Sequence, residues 1–170
     1  MAKFVFTPKD SSEIAESYDA VIVGAGGTGL TAAMQAHELG LKVAVFEKNE
    51  GLGGNTNKAS SGMNASESNV QFAQGIIDNK EDFYKETLKG GGLLNDRDML
   101  RYFVDHSAVA ISWLEDHGID LTDLTITGGM SKKRAHRPAS MAPVGGYLVT
   151  GLLKKIQEED INIMTIEDPI

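Results

Sequence analysis

The stretch that most limits what this chain can become runs from Tyr18 to Glu47, YDAVIVGAGGTGLTAAMQAHELGLKVAVFE. It opens with Ala20-Val21-Ile22-Val23, short and β-branched, which predicts a buried parallel strand. Gly24-Ala25-Gly26-Gly27-Thr28-Gly29 follows at once and reads G-x-G-x-x-G. A helical pattern comes next, with Leu30, Ala33, Met34 and His37 on one face and Gly40 placed as a C-cap. Val43-Ala44-Val45-Phe46 predicts a second strand that ends at Glu47. Strand, glycine turn, helix, strand and terminal acid together specify a βαβ dinucleotide-binding unit.

Each residue type in that unit has a chemical reason. Gly24 allows the sharp turn off the strand, Gly26 lets a pyrophosphate approach the backbone, and Gly29 lets helix and strand pack closely. The helix N-terminus, with Gly27 and Thr28, offers free N–H groups and the positive end of a dipole to phosphate. Glu47 stands about 20 residues past the first glycine, where a carboxylate can accept both ribose hydroxyls. Its charge would repel a 2′-phosphate, which argues against NADP.

A chain of 170 residues is long enough for one domain with a real core, and 41% hydrophobic with 24% charged residues fits a globular protein. The net charge of −8 argues against nucleic acid or an anionic membrane as partner. No apolar run approaches the roughly 20 residues that span a bilayer, and the N-terminal MAKFVFTPKD has too short an apolar patch for a signal-peptide core. The chain has no cysteine, which excludes disulfides, thiolate metal sites and Cys nucleophiles. A cytoplasmic location follows from this, with periplasmic or extracellular placement left open.

Residues 1–17 are polar and read as a leader, or as a junction to an upstream domain. From Lys48 to Asn79 the chain is rich in Gly, Asn and Ser, which suggests loop rather than regular structure. Within it, GLGGNTNKASSGMNA (51–65) combines Gly53-Gly54, able to lie close to a phosphate or ribityl chain, with the short polar side chains of Asn55, Thr56, Ser60 and Ser61. Its place directly after the ribose-binding acid points to function. Helices are expected from Asp82 to about Gly90 and, capped by Asn95 or Asp96, on to Gly118. Leu100, Phe103, Val104, Ser107, Ile111 and Leu114 form the buried stripe of the second, with Met99 and Trp113 as core or interface residues. His106 and His117 lack partners at metal spacing and are read as structural. Lys132-Lys133-Arg134-Ala135-His136-Arg137-Pro138 is a basic cluster in an acidic chain. It reads equally as a solvated loop or as a loop facing a carboxylate substrate or an electron-rich cofactor. Gly145-Gly146 opens a last helix with Leu148, Leu152 and Ile156 inward, and Ile161 to Ile166 reads as a third strand.

The segments VIVGAGGTGLTAA, VAVFEKNEGLGGNTNKASSGMNA, WLEDHGIDLTDL and KRAHRPASMAPVGG resemble the flavoprotein subunit of fumarate reductases, above all the soluble flavocytochrome c and urocanate reductase branch. The second segment is the most specific of the four. The resemblance implies an α/β, Rossmann-like FAD-binding domain over 18–170, a parallel sheet with helices, after a leader over 1–17. It implies FAD as cofactor, held noncovalently along Gly24, Gly26, Gly27, Thr28, Gly29, Glu47, Lys48, Gly54, Asn55, Thr56, Ser60, Ser61 and Gly62. In that family the backbone around Thr28 meets the pyrophosphate, Glu47 holds the adenosine ribose, and Asn55 and Thr56 lie near the ribityl-phosphate. Ser61, where the family often has Gly, and Gly62 sit beside flavin and substrate, and the loop with Arg134, His136, Arg137 and Pro138 lies near the flavin, so that Ser61, Gly62, His136 and Arg137 are expected close to the substrate.

The implied reaction is reduction of an activated C=C bond of a small carboxylate, fumarate to succinate in type. Members of the family are two to three times as long, and their arginine proton donor and dicarboxylate-gripping residues lie in later parts of the chain that have no counterpart here. The expectation is therefore an N-terminal, truncated portion, without its own catalytic acid, prone to self-association through an incomplete sheet edge. Two other readings of the same residues are an NAD-binding dehydrogenase fragment and a noncatalytic dinucleotide-binding module.

Overall fold

The computed structural model describes residues 4–165, with the backbone alone at Ser11. In chain order the strands are β1 (Ala20–Val23), β2 (Val43–Glu47), β3 (Met63–Asn64), β4 (Asp123–Thr125), β5 (Ala135–Arg137) and β6 (Asn162–Thr165). The helices are α1 (Gly27–Glu38), α2 (Asn69–Ala73), α3 (Lys80–Gly90), α4 (Arg97–Asp116) and α5 (Val144–Glu158), with single 3₁₀ turns at Ser11–Glu13 and Thr56–Lys58. Where one domain is expected over 18–170, the chain packs as two compact units, 4–59 with 145–165, and 60–144.

The split unit carries a parallel sheet in the order β1-β2-β6. Ala20 pairs with Val43 and Val23 with Phe46; Ala44 pairs with Asn162 and Glu47 with Thr165. The central β2 buries Val43, Ala44 and Val45, as a parallel strand covered on both faces should. Helix α1 packs on β1 and β2 through Leu30, Ala33 and Met34, while the expected fourth member of that face, His37, stays half-buried and reaches Glu159 at 3.6 Å. Gly40, at φ +80°, ends the helix as expected. Helix α5 buries Val149, Leu152, Leu153 and Ile156, and Leu148 is only half-buried.

Three expectations change here. Strand β1 is not fully buried: it is an edge strand, and alternate residues on one of its faces lack cover, with Val23 88% exposed. Residues before β1, expected as a leader or a junction to an upstream domain, are tied to the sheet at Lys9. Lys9 forms a parallel bridge to Met164, its N–H donates to the Ile163 carbonyl at 2.8 Å, and its ammonium pairs with Asp160 at 2.8 Å. The third strand is therefore not free on its outer side at that point. It covers Asn162–Thr165, and the Ile166 included in the expectation lies outside the described residues.

The contiguous unit holds an antiparallel sheet in the order β3-β5-β4, with Met63 opposite His136 and Leu124 opposite His136 from the other side. The stretch from Lys48 to Asn79, expected as loop, contains β3 and α2. Helix α2 forms because Ser68 and Gln71 make a reciprocal capping box. Asn79 caps α3 and Asp96 caps α4 by accepting from the N–H groups of Asp82 and Met99. Phe83, Leu100 and Val104 make a small core with Tyr84, Leu88 and Met130 against it. Leu100, Val104, Ser107, Ile111 and Leu114 are buried on α4 as the spacing requires, but Phe103 is not. Met99, expected in core or interface, is 72% exposed. His106 and His117 each hold Nδ1 on the carbonyl one turn back, of Tyr102 and Trp113, and stack on that residue's ring. Among the described residues no helix is long and apolar enough to cross a membrane.

Candidate dinucleotide-binding site

Two glycine turns build the site in the split unit. Gly24 leaves β1 at φ +99°, a region L side chains rarely adopt, and its N–H donates to the Phe46 carbonyl at 2.7 Å. The turn then enters α1 so tightly that a Cβ on Gly29 would collide with the Gly24 carbonyl oxygen. The second turn lies alongside: Gly26 and Gly53 form a parallel bridge, and the Gly53 N–H donates to the Ala25 carbonyl at 2.8 Å. Gly54 follows, a Cβ there lying 3.6 Å from the Gly26 Cα. Close approach here is first of backbone to backbone, which brings Asn55 and Thr56 to the mouth of the first turn.

The result is a cleft of about 360 Å³ lined by Ile22, Val23, Gly24, Gly26, Gly27, Thr28, Gly29, Ala32, Asn55 and Thr56. Seven of these are residues singled out from the sequence; Ile22, Val23 and Ala32 are additions that no polar signal marks. At the cleft's helix end Thr56 Oγ1 accepts the Gly27 N–H at 3.1 Å. Gly26, the N-cap, brings no side chain, and no described residue accepts from the N–H groups of Thr28 and Gly29. These are the unsatisfied donors of a helix start, with the dipole behind them, and they suit an anion.

Glu47 ends β2 with 7% exposure. One carboxylate oxygen accepts the Ala25 N–H at 2.8 Å; the other accepts the Asn49 N–H and the Asn49 side-chain amide, both at 2.9 Å. Burial pushes its pKa up, and hydrogen bonds from Ala25, Asn49 and the Lys48 N–H outweigh it and hold the group below the ordinary carboxylate value. A carboxylate has about four lone-pair directions. Both oxygens of Glu47 are already hydrogen-bonded to neighbouring N–H groups. Asn49, which the sequence reasoning passed over, supplies two of those donors; an amide two residues past the acid was the available signal. The Lys48 side chain is exposed.

The remaining candidates lie in the contiguous unit. Ser60 and Ser61 are exposed. Gly62 runs close to β5, a Cβ there falling 3.0 Å from the His136 carbonyl oxygen. The basic cluster divides. Lys132 and Lys133 are exposed, but Arg134 is fully buried. Its Nε and Nη2 grip Asp78 at 2.7 and 2.6 Å, its Nη1 meets Glu86 at 2.5 Å, and its plane lies over Phe83. His136 is buried too, with Nε2 2.7 Å from Ser68 Oγ and Nδ1 2.7 Å from the Arg134 carbonyl. Two carbonyls, of Arg134 and Met63, face Nδ1, so that nitrogen carries the proton and Nε2 accepts from Ser68. Burial lowers the His136 pKa against the pull of those carbonyls. Of the two readings of the cluster, a solvated loop does not describe these two side chains: both are hydrogen-bonded inside the unit. Arg137 is half-buried and donates from Nη2 to the Met141 carbonyl at 2.9 Å, while its Nε is buried with no partner among the described residues.

A glycine cradle that a Cβ would fill, open N–H groups at a helix start and a carboxylate at the end of the second strand fit a dinucleotide with a flavin or nicotinamide end. Residues 19–165 match the FAD binding domain family. The chain belongs to this family, on the side of the fumarate reductase flavoproteins. An NADH:fumarate oxidoreductase of Klebsiella pneumoniae (strain 342) is 52% identical over 149 residues, covering 88% of this chain and 16% of that protein. A fumarate reductase (cytochrome) of Shewanella frigidimarina is 38% identical over 148 residues, covering 87% of this chain and 26% of that protein. Among solved structures, the open conformation of a flavocytochrome c3 fumarate reductase superposes on this FAD binding domain with a TM-score of 0.84 at 32% identity. It covers 91% of this chain and 28% of that one. The chain thus spans between 16% and 26% of the length of these curated relatives.

Proposed function

We propose that the chain holds noncovalent FAD for an oxidoreductase that reduces the activated C=C bond of a small carboxylate. The observation that carries this reading is the pair of glycine turns bridged at Gly26 and Gly53, which leaves the Thr28 and Gly29 N–H groups open beside Asn55 and Thr56. Those N–H groups take the pyrophosphate, with the dipole of α1 behind them. Thr56 accepts from Gly27 and keeps its own O–H for a phosphate oxygen. Glu47 takes the adenosine ribose and rejects a 2′-phosphate. Bound FAD supplies the hydride chemistry that such a reduction requires.

Noncovalent attachment follows from what the chain offers as a tether. It has no cysteine. His37 faces Glu159, and His136 has both ring nitrogens hydrogen-bonded in the interior. Titration of the chain with FAD, followed by its visible absorption, gives saturable binding, and acid precipitation releases all of the yellow chromophore. Flavin retained on the precipitate overturns the noncovalent assignment. Binding of NAD in place of FAD overturns the cofactor.

A further inference from the structure

We propose that α4 carries a docking face for a basic amphipathic helix: an apolar stripe edged by aspartates. At 3.6 residues per turn, Val109, Tyr102, His106, Met99 and Phe103 lie side by side in that order, over an arc of about 120°. Met99, Tyr102 and Val109 are 72%, 67% and 63% exposed, and Phe103 and His106 are exposed as well. This arc adjoins the row from Leu100 to Leu114 that α4 buries in its own unit. One stripe of about 100° is enough to pack a helix on its core; α4 has a second beside it. Met99, Tyr102, His106, Val109 and Trp113 also alternate steps of three and four residues, the seam by which one helix receives another. The Tyr102 ring stacks on His106 with centroids 4.0 Å apart, which fixes its place in that seam.

Charge selects the partner. Asp98, Asp105 and Asp116 line the border beyond Val109, and none of them pairs with a cation among the described residues. The opposite border runs into the buried row, so the solvated rim of the stripe is acidic. Arg101 lies beyond the aspartates and is spent on Glu81 at 3.0 Å and on the Tyr84 ring. Asp116 ends α4, where the helix dipole is already negative, and no basic residue stands in that last turn. Lysine or arginine brought to this rim by a partner relieves both conflicts. A second copy of the chain does not. In an antiparallel two-fold pair the aspartate rim meets its own image, and in a parallel pair it meets the apolar Phe103 border.

Calorimetric titration of the whole chain with two designed peptides tests this, independently of FAD. Each peptide has three heptads with Leu at the a and d positions; one has Lys and the other Glu at e and g. The Lys peptide binds about tenfold tighter or more, and its advantage shrinks as ionic strength rises. Asp105→Lys with Asp116→Lys removes the preference. Glu16→Lys with Glu50→Lys, the same change of net charge placed in the split unit, keeps it. Val109→Glu abolishes binding of the Lys peptide and leaves the melting temperature at the wild-type value. A Lys peptide that does not bind overturns the proposal. So does equal loss of preference in the two double variants, which reduces the attraction to net charge. A dimer of the chain that Val109→Glu dissolves, seen by sedimentation, also overturns it and gives the face to a second copy.

Discussion

The two units treat their polar groups in opposite ways. In the split unit, the turns at 24–29 and 53–56 are built of backbone, and the N–H groups of Thr28 and Gly29 are left without acceptors among the described residues. In the contiguous unit, the strongest cation is closed off completely. Arg134 spends Nε, Nη1 and Nη2 on Asp78 and Glu86, and Gln71 ties Asp78 to the Lys133 carbonyl. A basic run in an acidic chain can be read as a ligand-facing loop as readily as a solvated one, whereas the glycine turns carry the dinucleotide signal. The geometry divides them: the buried arginine is paired inside its unit, and the side-chain-free turns are open to a ligand.

Four experiments break or sharpen that contrast, and the first should have the largest effect. Arg134→Met leaves the buried Asp78 and the half-buried Glu86 without their cation. It should lower the unfolding free energy by about 3–5 kcal/mol, the cost of removing one partner of a buried ion pair, as read from urea denaturation. An unchanged urea midpoint would show that the network contributes nothing to stability.

Acid should attack the same network in steps. Burial raises the Glu86 pKa, but hydrogen bonds from Ser131 and Arg134, with the charge of Arg134, bring it down to about 2. Asp78 is likewise lowered, Arg134 and Gln71 outweighing its burial. A carboxylate depressed in the folded state contributes stability that is complete above its ordinary pKa and lost as pH falls toward the folded value. That loss therefore runs from the ordinary 4.5 of Glu86 down to about 2. His136 acts earlier. It is held neutral when folded, so the unfolded chain gains protons first and stability begins to fall as pH drops below the ordinary 6.5. Urea midpoints across pH 7.5 to 3 should decline in both windows, and His136→Gln should remove the upper one alone.

The open turns should respond in affinity rather than in stability. Glu47→Gln keeps the shape, loses the charge and sets an amide N–H₂ against donors from Ala25 and Asn49. FAD binding should weaken by about 1.5–3 kcal/mol, the range for hydrogen bonds to charged groups, measured by calorimetry. The smallest effect belongs to Thr56→Val, which leaves the Gly27 N–H without its acceptor. A loss of about 0.5–1.5 kcal/mol in FAD affinity is expected, with little change in the urea midpoint. A large fall in stability from Thr56→Val would erase the distinction between the two units.

The split unit was legible because its signals are local. Hydrophobic runs, the glycine spacing and the acid at Glu47 all act within about 30 residues, the reach of a single βαβ unit. The bridge from Gly26 to Gly53 was not legible, since it joins two turns that are separate in sequence and marks neither with a special side chain. Lys9 beside β6 is a longer-range case of the same kind. Helix α2 was missed although Ser68-Asn69-Val70-Gln71 spells a capping box, because the glycine and asparagine content around it dominated the reading. That the reading of Arg134 and His136 stayed open has another cause. Polar side chains are visible in a sequence, but the partners that satisfy them, Asp78 and Glu86 for one and Ser68 for the other, lie scattered from 68 to 86. Side chains that are finished with one another cannot be told from side chains awaiting a ligand until the fold brings them together.

Strand β2 sits in the middle of its sheet, yet one of its neighbours is among the last described residues of the chain. On a ribosome, β1, α1 and β2 emerge together, and then everything from 60 to 144 must be made before β6 appears. At 5–20 residues per second that is an interval on the order of ten seconds. The intervening segment has its own sheet and core and can complete them while it waits. The nascent β2 cannot: through that interval it offers an unfilled row of hydrogen-bonding groups to any other extended chain nearby. The most sheltered strand of the finished protein is for those seconds its most vulnerable one.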